Sequence, residues 1–172
     1  SACLVGSEMC IRDRGPFASF IVILAMIFTD SQADQLDYVA PYFIGIPGQV
    51  RETGAVHFWE NQFLFPKGIQ RCFWISGVKK GTTRGNHAHW KEAQVLVAMA
   101  GTLWITIEGI DGSENVFELS EPGKGLFVPP LNWVEVRFSP NAVLLGLSDM
   151  AFEETDYIRD KDYFGNLQKG NR

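Results

Sequence analysis

From residue 47 onward the chain repeats one texture: apolar and aromatic runs of four to eight residues, separated by clusters of Gly, Pro, Asn and Asp. Runs of that length are too short for an amphipathic helix, and their β-branched and aromatic content suits a pleated, half-buried surface. The pattern predicts strands near residues 56–59, 70–76, 85–90, 94–100, 103–108, 115–119, 125–128, 134–138 and 143–147. Turn chemistry lies between them at 79–81, 109–113, 121–124 and 139–141. Many short strands at this spacing indicate an all-β sandwich or barrel, with a jelly roll as the expected form. Only the tail, residues 153–164, carries a helical turn. No repeat and no linker interrupts the pattern, so residues 45–172 are expected to form a single domain, preceded by a leader at 26–44.

The first quarter reads differently. Residues 17–28, FASFIVILAMIF, are apolar for twelve positions, short of the about 20 that a transmembrane helix needs. With Arg12 and Arg14 ahead of them they imitate a signal peptide, yet the polar, acidic FTDSQADQ offers no clean small-x-small cleavage site. Residues 5–14, VGSEMCIRDR, read instead as the conceptual translation of a sequencing adaptor. Residues 1–25 are then an extension and Met26 is the expected start. A peptide N-terminal to Met26 in a mass spectrum of the natural protein would refute this.

Composition narrows the partners. The net charge is −5 and no basic block occurs, so the counterion-displacing face that nucleic acid requires is missing. An anionic ligand would have to be met by a few local Arg or Lys. Three cysteines, Cys3, Cys10 and Cys72, make an odd set without metal-finger spacing. The expectation is a reduced, cytoplasmic protein with no disulfide framework and no membrane span.

Chemistry concentrates in Arg84-Gly85-Asn86-His87-Ala88-His89. On a strand His87 and His89 share a face and Ala88 points away, so two imidazoles can converge in one cavity. Gly81, five residues, His87, one residue, His89, four residues, Gln94, six residues and Gly101 follow the spacing of the first cupin motif. Gln94 stands where that motif carries a Glu ligand. In the second motif Gly123 and Pro129 keep the rhythm, but Leu131 replaces a Gly and Val134 the ligating His. A catalytic first-row metal needs at least three good protein donors, and two imidazoles with a neutral amide fall short. His57, on a distant strand, is expected to be half-exposed. The expectation is therefore a site without metal or other cofactor, whose histidines do acid–base work such as enolisation beside a ketone. Arg84 faces the other side of a regular strand unless the Arg-Gly pair bends it.

With Arg71-Cys72-Phe73-Trp74-Ile75, Gln94-Val95-Leu96, Gly125-Leu126-Phe127-Val128-Pro129, Trp133 and the tail Asp156-Tyr157-Ile158-Arg159-Asp160, the chain resembles the cupin sugar 3,4-ketoisomerases from about residue 45 to 164. The resemblance implies a metal-independent homodimer of jelly rolls. It would move a carbonyl from C4 to C3 of a dTDP-linked 4-keto-6-deoxyhexose through an enediol, with His87 and His89 as the proton shuttle. Arg71, Arg84, Lys79, Arg51 and Arg137 are candidates for the diphosphate, Trp74 and Trp133 for stacking on base or sugar, and Gln94 for the substrate wall. The tail is expected to be a packing element. One departure stands out: the family's Tyr and Arg ahead of the histidines have no counterpart between Arg71 and Arg84. A nucleotide-sugar 3,5-epimerase, a non-catalytic sugar-binding cupin and a metal cupin are the alternatives. The epimerase would require a His–Asp pair and a Tyr acid that the sequence does not place.

Overall fold

The clearest alternation lies in strand β7, Leu103–Gly109, where Leu103, Ile105 and Ile107 are buried and Trp104, Thr106 and Glu108 are half-exposed. Such a strand has one face on a core and one towards solvent. The computed structural model describes residues 38–171. The chain divides after residue 33, and the first unit lies outside the described residues, as do the adaptor-like string and the apolar run at 17–28.

Two five-stranded antiparallel sheets make up the body. The first runs β1 (Tyr42–Gly45), β9 (Lys124–Val128), β6 (Gln94–Ala100), β11 (Val143–Ser148) and β4 (Arg71–Ile75). The second runs β12 (Tyr157–Ile158), β5 (Thr83–His89), β10 (Asn132–Phe138), β7 and β8 (Glu114–Leu119). A separate hairpin joins β2 (Gly48–Arg51) to β3 (Gly54–His57). Between the sheets, Leu96, Ala98, Leu126 and Leu144 meet Leu103, Ile105, Ile107, Val134 and Val136. This is the expected all-β jelly-roll barrel with a short C-terminal helix, α1 (Lys161–Gly170).

Two further apolar clusters lie outside the barrel. Phe65, Ala93, Val95, Val97 and Leu147 are covered on the first sheet by Ile44, Ile46, Trp59 and Leu64. Ala88, Ile110, Leu131, Trp133, Ile158 and Phe164 form the other, with Leu167 of α1 packed against it. Gly101, the last glycine of the first motif, turns β6 into β7 with φ +67°, and a Cβ there would come within 2.8 Å of Ala142.

The differences from the sequence reading have local causes. Three of the four residues of β1 lie in the stretch read as a leader, and the strand pairs Tyr42 with Phe127 and Gly45 with Lys124, so the barrel begins before residue 45. The first hairpin strand, Gly48–Arg51, is not anticipated by the sequence because GQVR is exposed at every position and leaves no period to read, and its partner runs Gly54–His57 where residues 56–59 are expected. The helix begins at Lys161, after Asp160 caps it by accepting the Tyr163 N–H at 2.9 Å. Residues 154–158 form a 3₁₀ turn and then β12. Among the described residues no helix is long and apolar enough to cross a membrane.

Candidate active site

The barrel opens on a cavity of about 190 Å³ lined by Arg71, Phe73 and Ile75 of β4, His87 of β5, Gln94 and Leu96 of β6, and Tyr157 of β12, with Val134, Val136 and Leu144 completing the wall. Strand parity explains the set. Residues 71, 73 and 75 share one face of β4, so Trp74 points away and is 71% exposed on the outside.

β5 is not regular. Gly85 has φ +91° and Asn86 φ +57°, and the pairing slips so that Val134 faces His87 while Glu135 faces Gly85. This is a β-bulge, and Gly85 is needed for it: a Cβ there would lie 2.6 Å from the Val134 carbonyl oxygen. The bulge restarts the alternation, placing Arg84 opposite the cavity-wall residue Val136. Arg84 itself is exposed and lies outside the wall.

The bulge also fixes the His87 ring. Its Nδ1 lies 2.9 Å from the Gly85 carbonyl oxygen. Because that oxygen can only accept, Nδ1 carries the proton and Nε2 keeps its lone pair. Burial lowers the His87 pKa from 6.5 to about 4, so near neutral pH the imidazole is an uncharged base in an apolar pocket.

His89 is placed differently. Its ring lies edge-on to that of His87, with centroids 4.9 Å apart, but it is buried and both its nitrogens are engaged. Nδ1–H donates to Asp156 Oδ2 at 3.0 Å, and Nε2 accepts from the Gln94 amide at 3.3 Å. The same amide nitrogen donates to Glu92 Oε1 at 2.6 Å, and Arg71 Nη2 donates to that oxygen at 2.7 Å. Burial lowers the His89 pKa as well, against the opposing pull of Glu92 and Asp156. Gln94 is thus a positioning group, tying a carboxylate to an imidazole.

The tail, expected to be mere packing, enters the site. Asp156 accepts the Lys91 N–H on Oδ1 at 2.9 Å and the Glu92 N–H on Oδ2 at 3.1 Å, besides His89. Tyr157, paired with His89 across β12 and β5, sets its ring 4.2 Å from His89 and 4.9 Å from His87, centroid to centroid. Its hydroxyl accepts from Arg71 Nη2 at 3.1 Å. Local sequence gave only the Asp-Tyr-Ile-Arg string as a signal, because a two-residue strand has no period.

The remaining candidates fall elsewhere. Trp133 is buried outside the second sheet, 5.7 Å from the Phe164 ring and beneath Lys161, and does not line the cavity. Lys79 is exposed in a turn whose carbonyl accepts from Thr82. Arg137 lies over Trp104 at 4.4 Å, and Arg51 sits on the exposed hairpin beside Gln49. His57 lines a different pocket, with Trp59 and Met99, and so is no third donor beside the pair. Leu131, at the position of the motif glycine, holds φ +60°. The ligand atoms of His89, Glu92 and Asp156 lie within 4.8 Å of one another, but the bonds above already engage them.

A double-sheet antiparallel barrel with a histidine, an arginine and a phenol lining one small cavity, and a second histidine packed beside them, defines a cupin-type architecture. The chain belongs to the FdtA family (WxcM-like, C-terminal), whose model matches residues 40–169. It is 38% identical over 119 residues to the TDP-4-oxo-6-deoxy-α-D-glucose-3,4-oxoisomerase of Aneurinibacillus thermoaerophilus, covering 67% of this chain and 83% of that protein. Among solved structures it resembles the sugar 3,4-ketoisomerase QdtA of Thermoanaerobacterium thermosaccharolyticum in complex with TDP. That match has TM-score 0.70 and 33% identity, over 75% of this chain and 94% of the other. A 3,4-ketoisomerase from Helicobacter canadensis gives TM-score 0.69 and 32% identity, over 77% and 98%. The RmlC epimerase of Mycobacterium tuberculosis, at 13% identity, TM-score 0.58 and 68% and 66% coverage, shares the fold alone.

Proposed function

We propose that the protein is a metal-independent 3,4-ketoisomerase that moves the keto group between C4 and C3 of a TDP-4-keto-6-deoxyhexose through an enediol, with His87 as the base that moves the proton and His89 as the partner that holds it in place. The observation that carries this reading is the neutral, unprotonated Nε2 of His87 in the cavity wall, fixed by the Gly85 carbonyl. A base on one wall can remove a proton from one carbon and return it to the adjacent carbon. His89, engaged on both nitrogens, supports the first ring and shapes the polar end of the pocket.

The cavity volume favours one sugar ring over a whole ligand. Pockets that enclose entire ligands run roughly 300–1,000 Å³, and this one is about 190 Å³. The nucleotide diphosphate then lies outside, where Arg84 stands exposed on the strand that carries the histidines. The His89–Asp156 pair and Tyr157 supply the features that the sequence alone could not place for an epimerase. Site composition therefore does not separate the two reactions; the ketoisomerase reading is favoured by relatives at 32–38% identity against epimerases at 13–14%.

A homodimer fits the outer face of the first sheet, where Trp74 is 71% exposed and Met99 47%, with the exposed Phe58 lining the same pocket as Met99. Apolar surface of that kind marks an association site.

Incubation with TDP-4-keto-6-deoxyglucose in D₂O tests the function. The protein should place deuterium on the sugar ring and form the 3-keto product, read by NMR. His87→Asn should lower both by about 10²–10⁴-fold with the fold intact. Binding of the sugar nucleotide without exchange would establish a non-catalytic cupin, and exchange at C5 would establish an epimerase.

A further inference from the structure

The removal of a proton by His87 leaves half the reaction unassigned. Carbonyl oxygen O4 must gain a proton and hydroxyl O3 must lose one, and an imidazole aimed at the carbons does not serve the oxygens. β4 carries no tyrosine for this task, and its cavity-facing residues beyond Arg71 are Phe73 and Ile75. The described wall nevertheless contains a phenol, brought by the tail on β12.

We propose that Tyr157 is a catalytic residue of this isomerisation, its hydroxyl relaying a proton between O4 and O3 while Arg71 holds it. Three observations converge. Tyr157 lines the same cavity as His87, with ring centroids 4.9 Å apart. Its hydroxyl receives an N–H from Arg71, whose other partner, Glu92, is fully buried, so the guanidinium is anchored from behind. The ring is also clamped: His89 lies 4.2 Å away, Phe152 5.6 Å, and the Arg159 guanidinium 4.2 Å over its face. Arg159 is held in turn by Glu154 through two hydrogen bonds of 2.6 and 2.9 Å. A phenol fixed on every side and donated to by a cation keeps its own O–H available, which is the preorganised donor that a developing oxyanion requires.

The step balances without any co-reactant. His87 Nε2 takes the proton from C3, and the C–H electron pair becomes the C3=C4 bond. The carbonyl π pair moves onto O4, which takes the phenolic proton, leaving a phenolate beside the Arg71 guanidinium. The phenolate then takes the O3 proton as C3=O3 forms. The C3=C4 pair takes the proton of His87 Nε2–H at C4. Imidazole and phenol end as they began.

This assignment rests on the ketoisomerase reading, and the test separates the two. Tyr157→Phe keeps the ring against His87 and His89 and removes only the hydroxyl. Its kcat, and the rate of deuterium entry at saturating sugar nucleotide, should fall about 10²–10³-fold. KM, TDP affinity by calorimetry and near-UV circular dichroism should stay at wild-type values. A kcat within threefold of wild type would overturn the assignment, as would a rise in KM at constant kcat, which makes the hydroxyl a binding group. If Tyr157→Phe does not fold, 3-fluorotyrosine placed at position 157 keeps shape and packing while changing phenol acidity. A severalfold change in kcat supports the relay, and an identical kcat overturns it. No exchange by the wild-type protein would instead overturn the ketoisomerase reading itself.

Discussion

Asp156→Asn probes the hinge between tail and barrel. Asp156 is buried and accepts three hydrogen bonds, from the His89 ring at 3.0 Å and from the Glu92 and Lys91 amides at 3.1 and 2.9 Å. An asparagine of the same shape must turn its NH₂ towards either the Lys91 N–H or the His89–Glu92 pair. At least one buried donor then faces another donor. Bonds to a charged acceptor contribute about 1.5–3 kcal/mol, and a buried unsatisfied donor costs about 1–3 kcal/mol. The expected loss of stability is about 2–4 kcal/mol, or roughly 5–15 °C in Tm for a domain of this size. Urea unfolding followed by far-UV circular dichroism measures it. Activity should fall alongside, because Tyr157 is the next residue. A stability change below about 0.5 kcal/mol would show that the three bonds do not anchor the tail, and the account of the site's polar end would fail with them.

Acid should weaken the fold through the same site. Burial lowers both histidine pKa values, that of His87 from 6.5 to about 4. Between those values the unfolded chain binds protons that the folded one does not, so stability is full above about pH 6.5 and declines as pH falls towards 4. At 1.36 kcal/mol per unit, His87 contributes up to about 3 kcal/mol of that decline. Unfolding curves at pH 7.5, 5.5 and 4.5 should show it, and equal stability at all three would refute it. If the proposed dimer forms through this face, Trp74→Lys should give a monomer by light scattering while the barrel stays folded, and a monomeric wild-type protein would sink the proposed interface.

Strands with a face to hide were legible in the sequence, and those without one were not. β6 shows its exact limits because Gln94 to Ala98 are continuously buried between short turns. β7 is read from its alternation. β2 is polar and exposed throughout, and β12 is two residues long, so neither has a period. In the site, spacing alone brought His87, His89 and Gln94 together. Parity on β4 could have done more: residues 71, 73 and 75 share a face, which excludes Trp74 from any cavity containing Arg71. The different surroundings of the two histidines were not legible. Alternation gives two rings a common face but says nothing of what each nitrogen meets, and here one ring faces the cavity while the other is enclosed by Asp156 and Gln94.

The hydrogen bond between His89 and Asp156 joins residues 67 positions apart. Its two partners lie on β5 and on the turn before β12, so every strand from β6 to β11 lies between them in the chain. During synthesis the strands β4, β5 and β6 that carry most of the cavity wall are made before Tyr157, which completes it. A chain made only as far as β11 can therefore hold both histidines and still lack the phenol that completes the cavity wall, so the site depends on the segment that follows the barrel strands.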